Sequence, residues 1–199
     1  MGALYELARP FAFQTAKGPT LRLYRDLIPL GLAGVALAVY LALPVGIKLV
    51  GPESASSTMA PLFAGLPGFF IAALAAVSTF QGGDLDRDME RTTIWIQANG
   101  DAGDTDVTLR VFLSHLFAYL TFLSVIGFLL CASATLLASN IAHFQSTAEA
   151  TKAAWDDAMW EIAKGCFVFA LALVTGSVLS CTALGLYFLA ERVHQQLGQ

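Results

Sequence analysis

The longest apolar stretch of the chain is VFLSHLFAYLTFLSVIGFLLCASATLLAS, residues 111–139. It contains no Asp, Glu, Lys or Arg, and at about 1.5 Å per helical residue it can cross a hydrocarbon core of about 30 Å. Similar stretches occupy residues 27–50, 60–80 and 166–190. Lipid requires every backbone group to be bonded internally, and the period-two alternation of barrel strands is missing. The predicted fold class is therefore all-α, a polytopic integral membrane protein with four transmembrane helices.

Composition supports that class and limits the function. Hydrophobic residues make up 56% of the 199 residues and charged residues 13%, against roughly 25% charged in ordinary soluble domains. Four spans leave little chain for a separate soluble domain, so we expect one domain over residues 1–199. The net charge of −4 and the lack of a basic patch argue against nucleic-acid binding.

The sequence shows no enzyme motif. It has no G-x-S-x-G, no H-E-x-x-H and no glycine-rich phosphate loop. Its histidines are scattered, its cysteines form no C-x-x-C pair, and no aspartate lies inside a predicted span. We therefore expect no catalysis, no cofactor and no metal site.

Basic residues predict the orientation. Eight of them fall in the leading segment, the middle loop and the tail, and three fall at or beyond the opposite ends of the spans. Because short cytoplasmic loops are enriched in Lys and Arg, both termini and the loop 81–110 should be cytoplasmic. This is an N-in, C-in topology in a bacterial inner membrane. The eight are Arg9, Lys17, Arg22, Arg25, Arg87, Arg91, Arg110 and Arg192, and the three are Lys48, Lys152 and Lys164.

Two segments outside the spans have helical patterns. Residues 3–13 (ALYELARPFAF) place apolar side chains near one helical face, which indicates either an interfacial helix or a terminus that touches the headgroups. Ser146 with Glu149 fits a capping box before an amphipathic stretch at about 147–163. That helix either stops before the fourth span or, since no proline interrupts the sequence, runs through Gly165 into it.

The loop 81–110 is the most distinctive polar segment. Within it, residues 84–106 hold seven acidic residues against Arg87 and Arg91, a net charge of −5. An anionic patch is repelled from an anionic leaflet, which favours docking of a cytosolic protein partner. Spacing at the start of the loop imitates an EF-hand, but Met89 and Trp95 occupy the required Gly and Glu positions, so the EF-hand motif fails. A solvated charge run is favoured over a loosely held divalent cation. The predicted partner-binding residues are Asp84, Asp86, Asp88, Glu90, Asp101, Asp104 and Asp106.

The same loop has a turn signal. Residues 92–97 (TTIWIQ) are rich in β-forming residues and precede Asn99-Gly100, a favoured tight-turn pair. A small hairpin or ordered loop is expected there, with a continued helix as the alternative.

The third span has a polar stripe. Hydroxyl side chains recur within one arc of the predicted helix, where they either line a water-filled path between subunits or form bonds within a dry helix interface. Interruption of the stripe by Phe and Leu favours packing. His115 lies one turn from Tyr119 and is interpreted as structural. The stripe comprises Ser114, Thr121, Ser124, Thr135 and Ser139.

Small residues recur every four positions on three of the spans. Such rows let helix backbones approach closely in lipid, so they predict a tight bundle and self-association into a homo-oligomer. The positions chosen for this role are Gly34, Gly68, Ser177, Cys181 and Gly185.

By architecture, the chain resembles the small four-helix membrane subunits that bacteria pair with a separate cytosolic protein, as in some phage-defence systems. That resemblance implies a non-enzymatic, oligomeric scaffold or sensor subunit with a role in antiviral defence. The alternative hypothesis is an oligomeric channel or pore lined by the third-span stripe.

Overall fold

The computed structural model describes the backbone of residues 13–14, 21–42, 49, 54–79, 88–98, 101–148 and 156–197. Side chains are described for 13–14, 21–42, 49, 54–79, 108–136 and 161–189. Within these ranges, the structure is almost entirely helical, and four helices are long and apolar enough to cross a membrane, as predicted. The four spans are Leu23–Ala42, Ala55–Thr79, Leu109–Leu136 and Glu161–Leu189.

Helix α1 (Leu23–Ala42) lies earlier than the predicted first span, residues 27–50. It opens with one π-helical turn, Leu23–Leu27, in which the Ile28 N–H donates to the Leu23 carbonyl. Proline at position 29 has no N–H and its ring crowds the preceding turn, so a wider turn before it relieves that clash. The described helix ends two residues before Pro44, a residue that disfavours helical continuation.

Helix α2 (Ala55–Thr79) begins earlier than the predicted residue 60 because serines cap it. The Ser57 N–H donates to Ser54 Oγ at 3.2 Å, and the Ser54 N–H donates to Ser57 Oγ at 2.9 Å. This reciprocal pair is a capping box with serine in place of the usual Glu. The Ser56 hydroxyl is fully buried and donates to the Leu49 carbonyl at 2.8 Å, so the cap is also tied to the preceding chain.

An antiparallel hairpin joins α2 to the third helix. Strand β1 (Asp88–Ala98) pairs with β2 (Asp101–Thr108), and Ala98 pairs with Asp101 at the closed end. The expected hairpin is thus present and the alternative, a continued helix, is wrong. Asn99 and Gly100 themselves lie outside the described residues.

The last two helices are longer than the spans within them. Helix α3 runs over Leu109–Ala148 and α4 over Asp156–Leu197, continuously through Gly165. The predicted outer helix at about 147–163 is therefore not a separate element where it is described. Ser146 lies within α3 rather than capping a new helix, and residues 149–155 fall outside the described residues.

Neighbouring helices are antiparallel, in the spatial order α1, α4, α3, α2. Phe63 of α2 lies against Gly127 of α3, and further along α2 the ring of Phe70 stacks on Phe117, with centroids 6.4 Å apart. The α2 residues that are buried lie seven apart, which gives this helix a narrow seam toward α3. They are Ser56, Phe63, Phe70 and Val77.

The core is concentrated at the end of the bundle where α2 ends, α3 begins and the hairpin is attached. We call this the hairpin end. There, residues 109–120 of α3 are all buried or half-buried, whereas no residue of 34–42 or 161–170 is buried at the other end of α1 and α4. Large apolar side chains such as Leu41 and Leu136 are 73% and 70% exposed, as expected for helices that face lipid. The buried residues within 109–120 are Leu109, Phe112, Leu113, Leu116, Phe117, Tyr119 and Leu120.

Candidate functional site at the hairpin end

The hairpin carries most of the acidic residues that were predicted to bind a partner. Asp88 and Glu90 lie on β1, and three more aspartates lie on β2 at positions 101, 104 and 106. Asp84 and Asp86 lie outside the described residues. The register pairs Asp104 with Trp95 and Asp106 with Thr93. Since alternate strand positions lie on opposite faces, positions 93, 95, 104 and 106 share one face of the ribbon.

The hairpin is attached to α3 with no intervening loop. Strand β2 ends at Thr108 and α3 begins at the next residue. The Thr108 hydroxyl accepts from the Val111 N–H at 3.4 Å and so caps α3. The Arg110 guanidinium donates to the Val77 and Ser78 carbonyls, at 3.2 and 3.4 Å. A cation at the last carbonyls of α2 suits the helix dipole, so Arg110 joins the two helix ends that frame the hairpin.

An aromatic cluster lies at the hairpin end, among the first turns of α3, and includes a residue from the N-terminal segment. The ring of Phe13 is completely buried, with centroids 5.7 Å from Phe112 and 5.4 Å from Tyr119. Phe112 in turn meets Phe188 of α4 edge-on at 5.5 Å. Such tilted and edge-on pairs are favourable beyond their burial. Of the predicted N-terminal helix over residues 3–13, only Phe13 lies in the described residues, in a short 3₁₀ turn with Gln14.

A charged pair lies inside the first turns of α1, where sequence analysis expected no acidic residue. The Arg25 guanidinium binds the Asp26 carboxylate through Nε and Nη2, both at 2.9 Å. Its Nη1 donates to the Gln14 carbonyl. The Arg25 side chain is 15% exposed and that of Asp26 is 56% exposed. The expectation that no aspartate lies within a span was wrong, because the span starts four residues earlier than predicted.

The polar stripe of α3 is bonded within its own helix. Ser114, Thr121 and Ser124 each donate to the carbonyl four residues earlier, at 2.8 Å. Thr135 does the same with the Cys131 carbonyl at 2.9 Å. Ser124 is fully buried inside the chain, so these hydroxyls do not share one open surface. Ser139 lies in α3, at a position whose side chain is not described.

The small-residue positions divide into two groups. On α4, Ser177, Cys181 and Gly185 are buried, and a Cβ added at Gly185 would lie 3.1 Å from Leu116 Cδ2 of α3. The α4 row therefore packs within the chain. Gly34 on α1 and Gly68 on α2 are exposed and have nothing within 4 Å of an added Cβ.

Two closely packed glycines were missed by sequence analysis. A Cβ at Gly127 would lie 2.5 Å from the ring of Phe63, and one at Gly176 would lie 3.2 Å from the Pro29 Cα. The lack of a side chain at Gly127 lets α2 lie close to α3, and the lack of one at Gly176 lets α1 lie close to α4. Gly176 lies in the row Ala172, Gly176 and Ser180, and Gly127 precedes Cys131 by four residues. Spacing therefore could have indicated both glycines, but other rows were chosen.

Other chemistry is sparse in the described part of the chain. His115 Nδ1 donates to the Val111 carbonyl at 2.8 Å, which fits a structural role. The three cysteines, Cys131, Cys166 and Cys181, form no disulfide. Among the described residues, no group of His, Cys, Asp and Glu is arranged to hold a metal ion.

Comparison with known proteins does not identify a relative. The chain matches no protein-family model, no curated protein and no solved structure. Its function is therefore argued from the hairpin end alone.

Proposed function

We propose that this protein is a non-enzymatic subunit of the bacterial inner membrane that scaffolds or senses there and engages a cytosolic protein through its acidic hairpin. One observation carries the proposal. The most acidic segment of the chain is a paired, two-stranded ribbon fused to a transmembrane helix. A ribbon held in this way can present charge to a partner with little loss of conformational entropy on binding.

Electrostatics favours a basic partner. The register brings Asp104 and Asp106 to one face of the ribbon, beside Trp95. Aspartates on a single face attract Lys and Arg and speed their association, while an aromatic residue supplies apolar contact area. Like charges also keep the ribbon away from anionic lipid headgroups.

The proposed orientation places the hairpin end in the cytoplasm. Four antiparallel helices put the start of α1, the hairpin and the end of α4 at the same end of the bundle. Eight of the eleven basic residues belong to segments at this end, and the positive-inside rule assigns such an end to the cytoplasm.

Assembly into a homo-oligomer is part of the proposal. The exposed glycines Gly34 and Gly68 lie on the two outermost helices, where a second copy could approach their backbones closely. A membrane oligomer that presents several acidic hairpins would bind a multivalent cytosolic partner with raised avidity. A role in phage defence rests on the resemblance in architecture to such two-component systems.

Removal of charge tests the docking function. The double variant D104N/D106N keeps side-chain size and removes two charges from the ribbon. The matched control D156N/D157N removes two charges at the first turn of α4, at the opposite end of the bundle. Affinity-purified protein from the native host is compared by quantitative mass spectrometry at low and physiological salt.

We expect at least one cytosolic protein to be depleted several-fold from D104N/D106N and retained by D156N/D157N, because salt-sensitive charge pairs drive the encounter. Wild-type recovery should fall as salt rises. Equal recovery with both variants at every salt concentration would refute docking through the hairpin.

The pore hypothesis receives no support from the α3 stripe. Its described hydroxyls are bonded to their own helix, and Ser124 is buried within the chain. We therefore expect purified protein in a planar lipid bilayer to be electrically silent. Discrete conductance steps that disappear in a Thr121→Val variant would restore the pore as the better function.

A further inference from the structure

The N-terminal segment enters the core of the transmembrane bundle at Phe13. Although it lies in a short 3₁₀ turn ahead of α1, its ring is 0% exposed. It contacts Phe112 and Tyr119 of α3, and Leu21 belongs to the same buried cluster. A segment that precedes the first span thus contributes a complete side chain to the centre of the hairpin end.

A polar bond holds the next residue. The Gln14 carbonyl accepts from Arg25 Nη1. Both oxygens of the Asp26 carboxylate orient the Arg25 guanidinium. Bidentate binding to a carboxylate fixes the plane of an arginine, so the contact to Gln14 is directional. Phe13 and Gln14 are therefore held by two different kinds of interaction, one apolar and one charge-assisted.

We propose that Phe13 and Gln14 form an intramolecular latch that holds the first turns of α3, and through them the acidic hairpin, in a fixed position. Phe112 lies one turn after Thr108, the residue at which β2 becomes α3. Tyr119 lies two turns further along the same helix. Because no loop separates β2 from α3, a change in the packing of Phe112 is transmitted to the base of the ribbon.

The side chain of Phe13 is also linked to α4. Phe112 packs edge-on against Phe188 of α4, so the ring of Phe13 reaches α4 through one intermediate side chain. Removal of the latch leaves a large cavity at the point where the N-terminal segment, α3 and α4 meet. Cavities of this size weaken the surrounding packing and promote local opening. The hairpin end should then open before the rest of the bundle.

A regulatory consequence follows if the docking function proposed above is correct. Displacement of Phe13 by a competing aromatic side chain, or by a pull on the N-terminal segment, would loosen the ribbon and weaken binding of its partner. That consequence rests on the proposed function, whereas the mechanical link between Phe13 and the hairpin does not.

Hydrogen–deuterium exchange on the full-length protein in lipid nanodiscs tests the link directly. The variant F13A removes the buried ring. The control F69A removes the same ring from α2, where Phe69 is 56% exposed. A third variant, F13L, retains most of the apolar volume and keeps the test available if F13A does not fold.

We expect amides of β1, β2 and the first turn of α3 to exchange about tenfold faster in F13A than in the wild type. The rise should be smaller in F13L and absent in F69A. Wild-type exchange at the hairpin in folded F13A or F13L, or an equal rise in F69A, would overturn the latch.

Partner recovery separates the latch from the docking function. If the hairpin exchanges faster in F13A but partner recovery is unchanged, the regulatory role is wrong and docking is unaffected. If D104N/D106N retains its partner while F13A loosens the hairpin, docking is wrong and the mechanical link is upheld.

Discussion

Gly127 of α3 offers the sharpest test of how the bundle packs. A methyl group added there would lie 2.5 Å from both Cδ1 and Cε1 of Phe63 and 2.9 Å from its Cγ. Nonbonded carbons prefer about 3.5 to 4.0 Å, so the two groups must separate by about 1 Å. The ring of Phe63 is only 1% exposed, so it has little room to move without a shift of α2 itself.

The cost of Gly127→Ala follows from this geometry. Overpacking of a well-packed site typically costs about 1 to 3 kcal/mol. For a chain of this size, about 2 kcal/mol corresponds to a fall in Tm of about 4 to 8 °C. The matched control is Gly68→Ala, where nothing lies within 4 Å of the added carbon, so its Tm should remain at or slightly above the wild-type value because Ala is the better helix former.

Thermal unfolding in detergent, followed by circular dichroism, measures both variants. The double variant F63L/G127A should recover part of the lost stability, because the smaller side chain makes room for the new methyl group. A Tm for G127A equal to that of G68A, or no recovery in F63L/G127A, would refute the close approach of α2 and α3.

Three further predictions use the same bundle. Gly185→Leu should lower the Tm of the single chain by several degrees through overpacking, whereas Gly34→Leu, exposed within one copy, should keep that Tm and weaken the homo-oligomer; equal thermal shifts in the single chain would contradict this division. Arg110→Gln should lower the free energy of unfolding by about 1 kcal/mol through lost bonds to carbonyls of α2, with Arg110→Lys closer to the wild type in urea titration. In a cysteine-free background, Ser146→Cys should react with an impermeant maleimide from outside intact cells and Asp101→Cys should not; the reverse pattern would invert the orientation.

Sequence alone predicted the elements that depend on local physics. Hydropathy identified four spans because each long apolar helix is readable without knowledge of its neighbours. The hairpin followed from β-forming residues before Asn99-Gly100. The continuous helix through Gly165 was one of the two alternatives that the absence of proline left open.

Helix boundaries were less predictable because weak local signals set them. The end of α1 at Ala42 corresponds to Pro44, which was present in the sequence but was included in the span. The start of α2 depends on Ser54 and Ser57, whose spacing matches a capping box only when serine is accepted at the third helical position. Both errors have the same physical source, since hydropathy averages over the residues that cap or break a helix.

The site at the hairpin end could be predicted only in part. The acidic residues were identified from charge, and five of them lie on the two strands of the hairpin. Burial of Phe13 was not predictable, because its contact with Phe112 joins residues almost one hundred positions apart and no periodicity encodes such a pair. Arg25 was placed in the segment ahead of the first span and Asp26 was given no role, since the earlier start of α1 becomes visible only in the fold.

Photo-crosslinking in living cells tests the central claim most directly, namely that the acidic hairpin is a docking element in the cytoplasm. A photoreactive amino acid replaces Trp95, the register partner of Asp104, and a control chain carries it at Leu41, which is 73% exposed on α1. The account predicts a covalent adduct with a cytosolic protein from position 95 alone, and its loss in D104N/D106N. An inserted, folded chain that gives no protein adduct from position 95, or gives the same adduct with and without the two aspartates, would contradict it.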